Sequence, residues 1–192
     1  VWCPGSDGQP DGPHAGGKRA VQYCGSDAGI CHVVCNHLLF LQTLPGEQER
    51  EAADQIYDTI SLPKRATSGS AGYDFYLPLA ICLKPGDSVK VPTGIRVRIN
   101  EGWVLQIYPR SGLGFKFRLQ LNNTVGVIDS DYFNSDNEGH LFIKVTNDSK
   151  EGKIVDLSKG TAFAQGIFFQ YGITEDDDCD TVRNGGLGST DK

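Results

Sequence analysis

Between Ser88 and Ile99 the chain carries two runs in which polar and apolar residues alternate. Ser88-Val89-Lys90-Val91 and Ile95-Arg96-Val97-Arg98-Ile99 each put their apolar side chains on one face, the two-residue period of a half-buried β-strand. Pro92-Thr93-Gly94 breaks the run between them. Short apolar runs follow at Trp103–Tyr108, Val125–Ile128, Leu141–Val145 and Phe163–Tyr171. Pro85-Gly86, Glu101-Gly102, Asn137-Glu138-Gly139 and Glu151-Gly152 supply the turn residues between such runs. Many short strands with almost no helical period predict an all-β architecture, a barrel or jelly-roll-like sandwich.

Composition sets the outer limits. With 39 % apolar and 22 % charged residues in 192, the chain is too apolar to be disordered throughout and long enough to bury a core. Its net charge of −6, from 24 acidic against 18 basic residues, argues against direct nucleic-acid binding, which needs a basic face. An anionic ligand would have to be offset by local cations, backbone N–H groups or a metal. No run of about 18 apolar residues occurs, so no membrane span is expected. Four of the six cysteines fall in the first 35 residues, unlike an evenly spread disulfide framework. Reduced thiols and a cytoplasmic setting are the plainer expectation.

Organisation divides the chain into four parts. Residues 1–46 form an atypical extension, with three prolines and seven glycines in the first 30 positions and no sustained periodicity; poor order is expected there. The apolar stretch Ile30–Leu44 is interrupted by His32, Asn36 and His37 and lacks the cleavage site of a signal peptide. Cys24, Cys31, His32, Cys35 and His37 invite a zinc reading, but their spacing does not match a paired structural site. Residues 47–60, with the run EQEREAADQIYD, suit one short helix limited by Pro63. Residues 61–182 carry the β-domain, and residues 183–192 a flexible glycine-rich arm.

Five stretches are more specific than ordinary turns. They are Ser70-Ala71-Gly72-Tyr73-Asp74, Pro109-Arg110-Ser111-Gly112-Leu113-Gly114, Asn123 through Tyr132, Ala164-Gln165-Gly166, and Arg183 through Thr190. In these residues the sequence closely resembles the trimeric deoxyuridine triphosphate pyrophosphatases, the dUTPases. All five motifs of that family are present in order over roughly residues 61–191.

Residue chemistry supports the likeness. Arg110-Ser111-Gly112 ends a predicted strand with a cation, a hydroxyl and a residue without a side chain. Such a turn lets backbone N–H groups approach phosphate oxygens, although Ser and Gly also suit a simple capped turn. The resemblance assigns Ser111 to the α,β-phosphate region. Asn123 to Tyr132 reads as a β-hairpin in which Gly126 admits close approach of a ligand. A strand backbone at Val127 and Ile128, with the Asn123 amide, complements the acceptor–donor–acceptor edge of uracil. The same wall would clash with a thymine methyl, and Tyr132 against the sugar would exclude a 2′-hydroxyl; a core tyrosine is the alternative.

Asp129 is the expected general base, taking a proton from water as it attacks the α-phosphorus; the resemblance also gives it the 3′-hydroxyl. Asp131 is the rival carboxylate. The resemblance further implies Mg2+ carried on the phosphates with Asp74 near its water shell, and Gln165 bonding in the phosphate region. The arm would close over the triphosphate, with Arg183 against the γ-phosphate and Gly188, Ser189 and Thr190 around the rest. It implies a homotrimer with shared active sites, which suits motifs spread over more than 110 residues and ending on a tail.

Departures are specific. Leu187 stands where an aromatic residue usually covers the base, Asp191 replaces a common glycine, and Ala162 replaces a frequent arginine. The segment Phe133–Gly139 lengthens the exit from the hairpin. The expected function is hydrolysis of dUTP to dUMP and pyrophosphate, keeping uracil out of DNA. The alternatives are a nucleotide-responsive regulatory binding protein on the same fold, and a dCTP deaminase-like enzyme. The latter needs a glutamate beside the cytosine amino group, where this hairpin offers Asp129.

Overall fold

The computed structural model describes residues 18–24, 31–36, 60–183 and 185. The strands in chain order are β1 (Lys18–Cys24), β2 (Cys31–Asn36), β3 (Lys64–Arg65), β4 (Tyr73–Tyr76), β5 (Ile81–Leu83), β6 (Ser88–Pro92), β7 (Ile95–Ile99) and β8 (Trp103–Pro109). After the helix α1 (Ser111–Phe117) come β9 (Leu119–Leu121), β10 (Gly126–Ile128), a 3-10 helix (Ser130–Asn134), β11 (Phe142–Asn147), β12 (Val155–Leu157) and β13 (Ala162–Gln170). The apolar runs at Trp103, Val125, Leu141 and Phe163 thus fall on β8, β10, β11 and β13, as their period requires.

β13 organises the largest sheet, ordered β10-β8-β13-β4-β3. It pairs antiparallel with β8 from Ala164↔Pro109 to Gln170↔Trp103, and with β4 on its other side. The remaining sheets are β6-β11-β9, β12-β5 and β1-β2-β7. Apolar side chains from β4 to β13 form one core around Phe75, Leu105, Ile107, Leu121, Ile143, Val145 and Phe163. Burial of a side chain such as Phe163 contributes about 1.5–3 kcal/mol. Gly166 is required there, because a Cβ would come within 2.9 Å of Leu105 and Phe75.

Four local features differ from the sequence reading. Residues 18–24 and 31–36, inside the extension expected to be poorly ordered, form an antiparallel pair whose second strand adds to β7. Arg96, outward-facing by strict alternation, is buried at 8 % exposure. Its guanidinium lies 3.6 Å from the centre of the Phe133 ring, so the lengthened loop covers this face of β7.

The expected Asn123–Tyr132 hairpin is not one. β9 pairs with β11 and β10 with β8, and the turn between them, with Thr124 at φ 64°, carries the chain from one sheet to another. Finally, Arg110 does not simply end a strand but caps α1, which closes on Arg118 at φ 52°. Gly112 and Gly114 hid that helix, since each disfavours helix by about 1 kcal/mol. Of the helix expected at 47–60, residues 47–59 lie outside the described residues.

Candidate active site

A cavity of about 480 Å³ opens between β10 and the β6-β11-β9 sheet. Among the expected site residues, Asn123, Gly126, Val127, Ile128, Asp129, Tyr132 and Arg183 line it. β10 is the edge strand of its sheet, so its outer side carries main-chain groups without a strand partner. Gly126 is held by packing as well as by the cavity: a Cβ would sit 3.1 Å from Cβ of Ile107, its partner on β8.

Tyr132 sits at the back of the cavity, buried in the core. Its Oη donates to the His140 carbonyl at 2.9 Å and accepts from Nδ2 of Asn137 at 2.9 Å. Burial pushes the phenol above its ordinary pKa, so the donated hydrogen bond persists at neutral pH. The ring is therefore both a core side chain and a cavity wall.

Below it, His140 is buried and accepts the Gly94 N–H through Nε2 at 3.0 Å. Burial, with a smaller contribution from Lys90, lowers its pKa to about 4. Thr93 reinforces the same junction, donating to the Leu141 carbonyl at 2.7 Å and accepting from Ile95 N.

Asp129 precedes the 3-10 helix with extended backbone, and its side chain is half exposed at the cavity rim. One guanidinium binds both nearby carboxylates: Arg183 NH2 lies 2.5 Å from Asp129 Oδ2, and its Nε 2.7 Å from Asp131 Oδ1. The sequence led to an expectation of Arg183 at the γ-phosphate; the structure brings it to the carboxylates of the same chain. Leu187, Gly188, Ser189 and Thr190 lie outside the described residues.

The other expected residues form a second cluster that does not line the cavity. Arg110 Nε lies 3.3 Å from Asp74 Oδ1, and Gln165 Nε2 donates to the Pro109 carbonyl at 3.3 Å. Gly72 belongs here although it was not singled out as a site residue: a Cβ would lie 2.6 Å from Gln165 Oε1. Ser111 is exposed at the start of α1, followed by Gly112. A Cβ at Gly112 or Gly114 would meet nothing within 4 Å, so packing within the chain does not explain either glycine. Lys90 and Lys144, directly opposed on β6 and β11, also line the cavity and were not anticipated.

Among the described residues no group of three or more His, Cys, Asp or Glu could hold a metal ion. Asp74, the carboxylate beside Arg110, stands in this second cluster without a further acidic residue among the groups named there. No helix among the described residues is long and apolar enough to cross a membrane.

Known proteins match this arrangement over the β-domain. The dUTPase family model matches residues 58–190. The deoxyuridine 5′-triphosphate nucleotidohydrolase of Lactococcus lactis is 40 % identical over 134 residues, covering 68 % of this chain and 88 % of its own length. That of Escherichia coli (strain K12 / DH10B) is 39 % identical over 135 residues, covering 66 % and 85 %. The crystal structure of dUTPase from Streptococcus mutans superposes with a TM-score of 0.54 at 38 % identity, covering 59 % of this chain and 88 % of that one. The matched span contains the cavity, its rim carboxylates and the Arg110 cluster together, and the chain belongs to the dUTPase family.

Proposed function

We propose that this dUTPase hydrolyses dUTP to dUMP and pyrophosphate with Asp129 as general base, and that it reads base and sugar in the cavity between Asn123 and Tyr132. The observation that carries the reading is the pairing of Asp129, at the rim, with an edge strand and a fixed tyrosine ring inside. The free edge of β10 offers main-chain donors and acceptors to a uracil edge, and the Asn123 amide adds one more. The Tyr132 ring packs against the deoxyribose and leaves no room for a 2′-hydroxyl.

Attack on the α-phosphorus forms the new P–O bond as the bond to the bridging oxygen breaks, and pyrophosphate leaves. Asp129 Oδ accepts the proton of the attacking water. In this structure the carboxylate is paired with Arg183. The charge of the triphosphate draws the guanidinium away, which frees Asp129 at the moment substrate is seated. Arg110, Ser111, Gly112 and Gln165 take the phosphates; Mg2+ would neutralise part of their charge, with Asp74 the carboxylate that would hold it through water.

The separation of the Arg110 cluster from the cavity supports a homotrimer in which one subunit's phosphate residues complete a neighbour's cavity. The acidic composition and unpaired Cys82 and Cys179 suit a cytoplasmic enzyme of nucleotide metabolism. Pyrophosphate release from dUTP, UTP, dTTP and dCTP side by side tests the reading. Strong preference for dUTP is expected; equal turnover of UTP or dTTP would overturn the base and sugar assignments. For the assembly, an Asp129→Asn chain co-refolded with a Ser111→Ala chain should regain activity, because the intact cavity of one can be completed by the intact phosphate residues of the other; a monomer that regains none would refute shared sites.

A further inference from the structure

The lengthened segment Phe133–Gly139 is not a surface excursion. It folds inward, with Ser135 and Gly139 buried, and it is tied to β7 through Arg96, whose NH2 donates to the Phe133 carbonyl at 2.6 Å. At its centre the Asn137 amide uses both ends. Nδ2 donates to Tyr132 Oη at 2.9 Å and to the His140 carbonyl at 3.3 Å. Oδ1 accepts from Ser135 Oγ at 2.7 Å and from Gly139 N at 3.1 Å. The amide orientation is dictated by its partners, since a flipped amide would set its NH2 against the Gly139 N–H.

A ring excludes a hydroxyl only as firmly as it is held. Tyr132 has two constraints on its hydroxyl, the Asn137 donor and the His140 acceptor, and its carbonyl accepts from Ser135 Oγ at 2.7 Å. Without the Asn137 donor the phenol retains one directional bond, and the ring is free to tilt away from a 2′-hydroxyl. We propose that Asn137 is a positioning residue that holds Tyr132 against the sugar and so sets the discrimination between deoxyribose and ribose. The inference rests on the reading of Tyr132 as the sugar wall. Aspartate would not substitute: it is isosteric, but its carboxylate donates nothing to the Tyr132 Oη or the His140 carbonyl, both of which accept from Asn137 Nδ2.

The test measures kcat/KM for dUTP and for UTP in the wild type, Asn137→Asp, Asn137→Ala and the milder Ser135→Ala, which removes only the hydroxyl bonded to Asn137 Oδ1. Each variant is assayed below its own unfolding midpoint. The dUTP preference should fall about tenfold in both Asn137 variants and about threefold in Ser135→Ala, through a lower KM for UTP. Tyr132→Phe should lower it too, and adding Asn137→Ala to Tyr132→Phe should lower it little further, because the two changes remove the same bond. Proportional losses for both nucleotides, with the preference intact, would make Asn137 merely structural and overturn the assignment. A wild type that does not prefer dUTP would instead sink the reading of Tyr132 beneath it.

Discussion

The segment from Asn122 to His140 and the helix Ser111–Phe117 carry the two halves of the proposed site, and they are built in opposite ways. In the first, side chains and backbone are tied together several times over: Tyr132, Ser135, Asn137, Gly139 and His140 all exchange hydrogen bonds with one another. In the second, no helical residue is buried, Phe115 is 93 % exposed, and two glycines stand where packing within the chain requires none. A wall that must reject a methyl or a hydroxyl has to be rigid before the ligand arrives. A surface that takes up flexible, charged phosphates needs room and accessible backbone more than stiffness. On the proposed reading, selectivity lies in the tied segment and phosphate binding in the open one.

The comparison is broken most severely at the rim carboxylate of the tied segment. Asp129→Asn should lower kcat by ~10²–10⁴-fold, since an amide cannot take the water's proton, while dUTP binding persists. Pyrophosphate release beside calorimetric titration of dUTP separates the two effects, and a variant of near-normal kcat would remove Asp129 from its role.

Acid should loosen the rigid half next. His140 has a folded pKa of about 4 against an ordinary 6.5, so the unfolded chain binds the extra proton first as pH falls. Stability from this group is therefore complete above pH 6.5 and declines down to about pH 4. The full loss is about 3 kcal/mol. Urea midpoints across that range should follow this slope, and a His140→Gln chain should lack it.

A smaller effect is expected from Gly139→Ala. Gly139 has φ 72°, and an added Cβ would lie 2.8 Å from the Phe133 Cα, so the substitution should destabilise by about 1–3 kcal/mol in urea unfolding. The open half should respond with the opposite sign. Gly112→Ala and Gly114→Ala should each stabilise α1 by about 0.5–1 kcal/mol, read as a rise in Tm. If Gly112 is reserved for phosphate, its alanine variant gains stability and loses affinity for dUTP, whereas Gly114→Ala keeps it. Equal affinity in both would end the functional account of that glycine.

Strand period and turn chemistry were legible in the sequence because both are local. The alternation at Ile95–Ile99 and the runs at Trp103, Leu141 and Phe163 mark β-strands whatever surrounds them. The five motifs likewise marked the family, since ligand chemistry restricts residue types at short spacing. Tertiary structure decided the rest. Arg96 belongs to the polar side of an alternating strand, and only the loop laid over it buries that side chain. Asn123–Tyr132 has hairpin residues, but β9 and β10 find their partners in different sheets. Partner choice over such distances depends on which surfaces the whole chain brings together, and that is not encoded in any short stretch of residues.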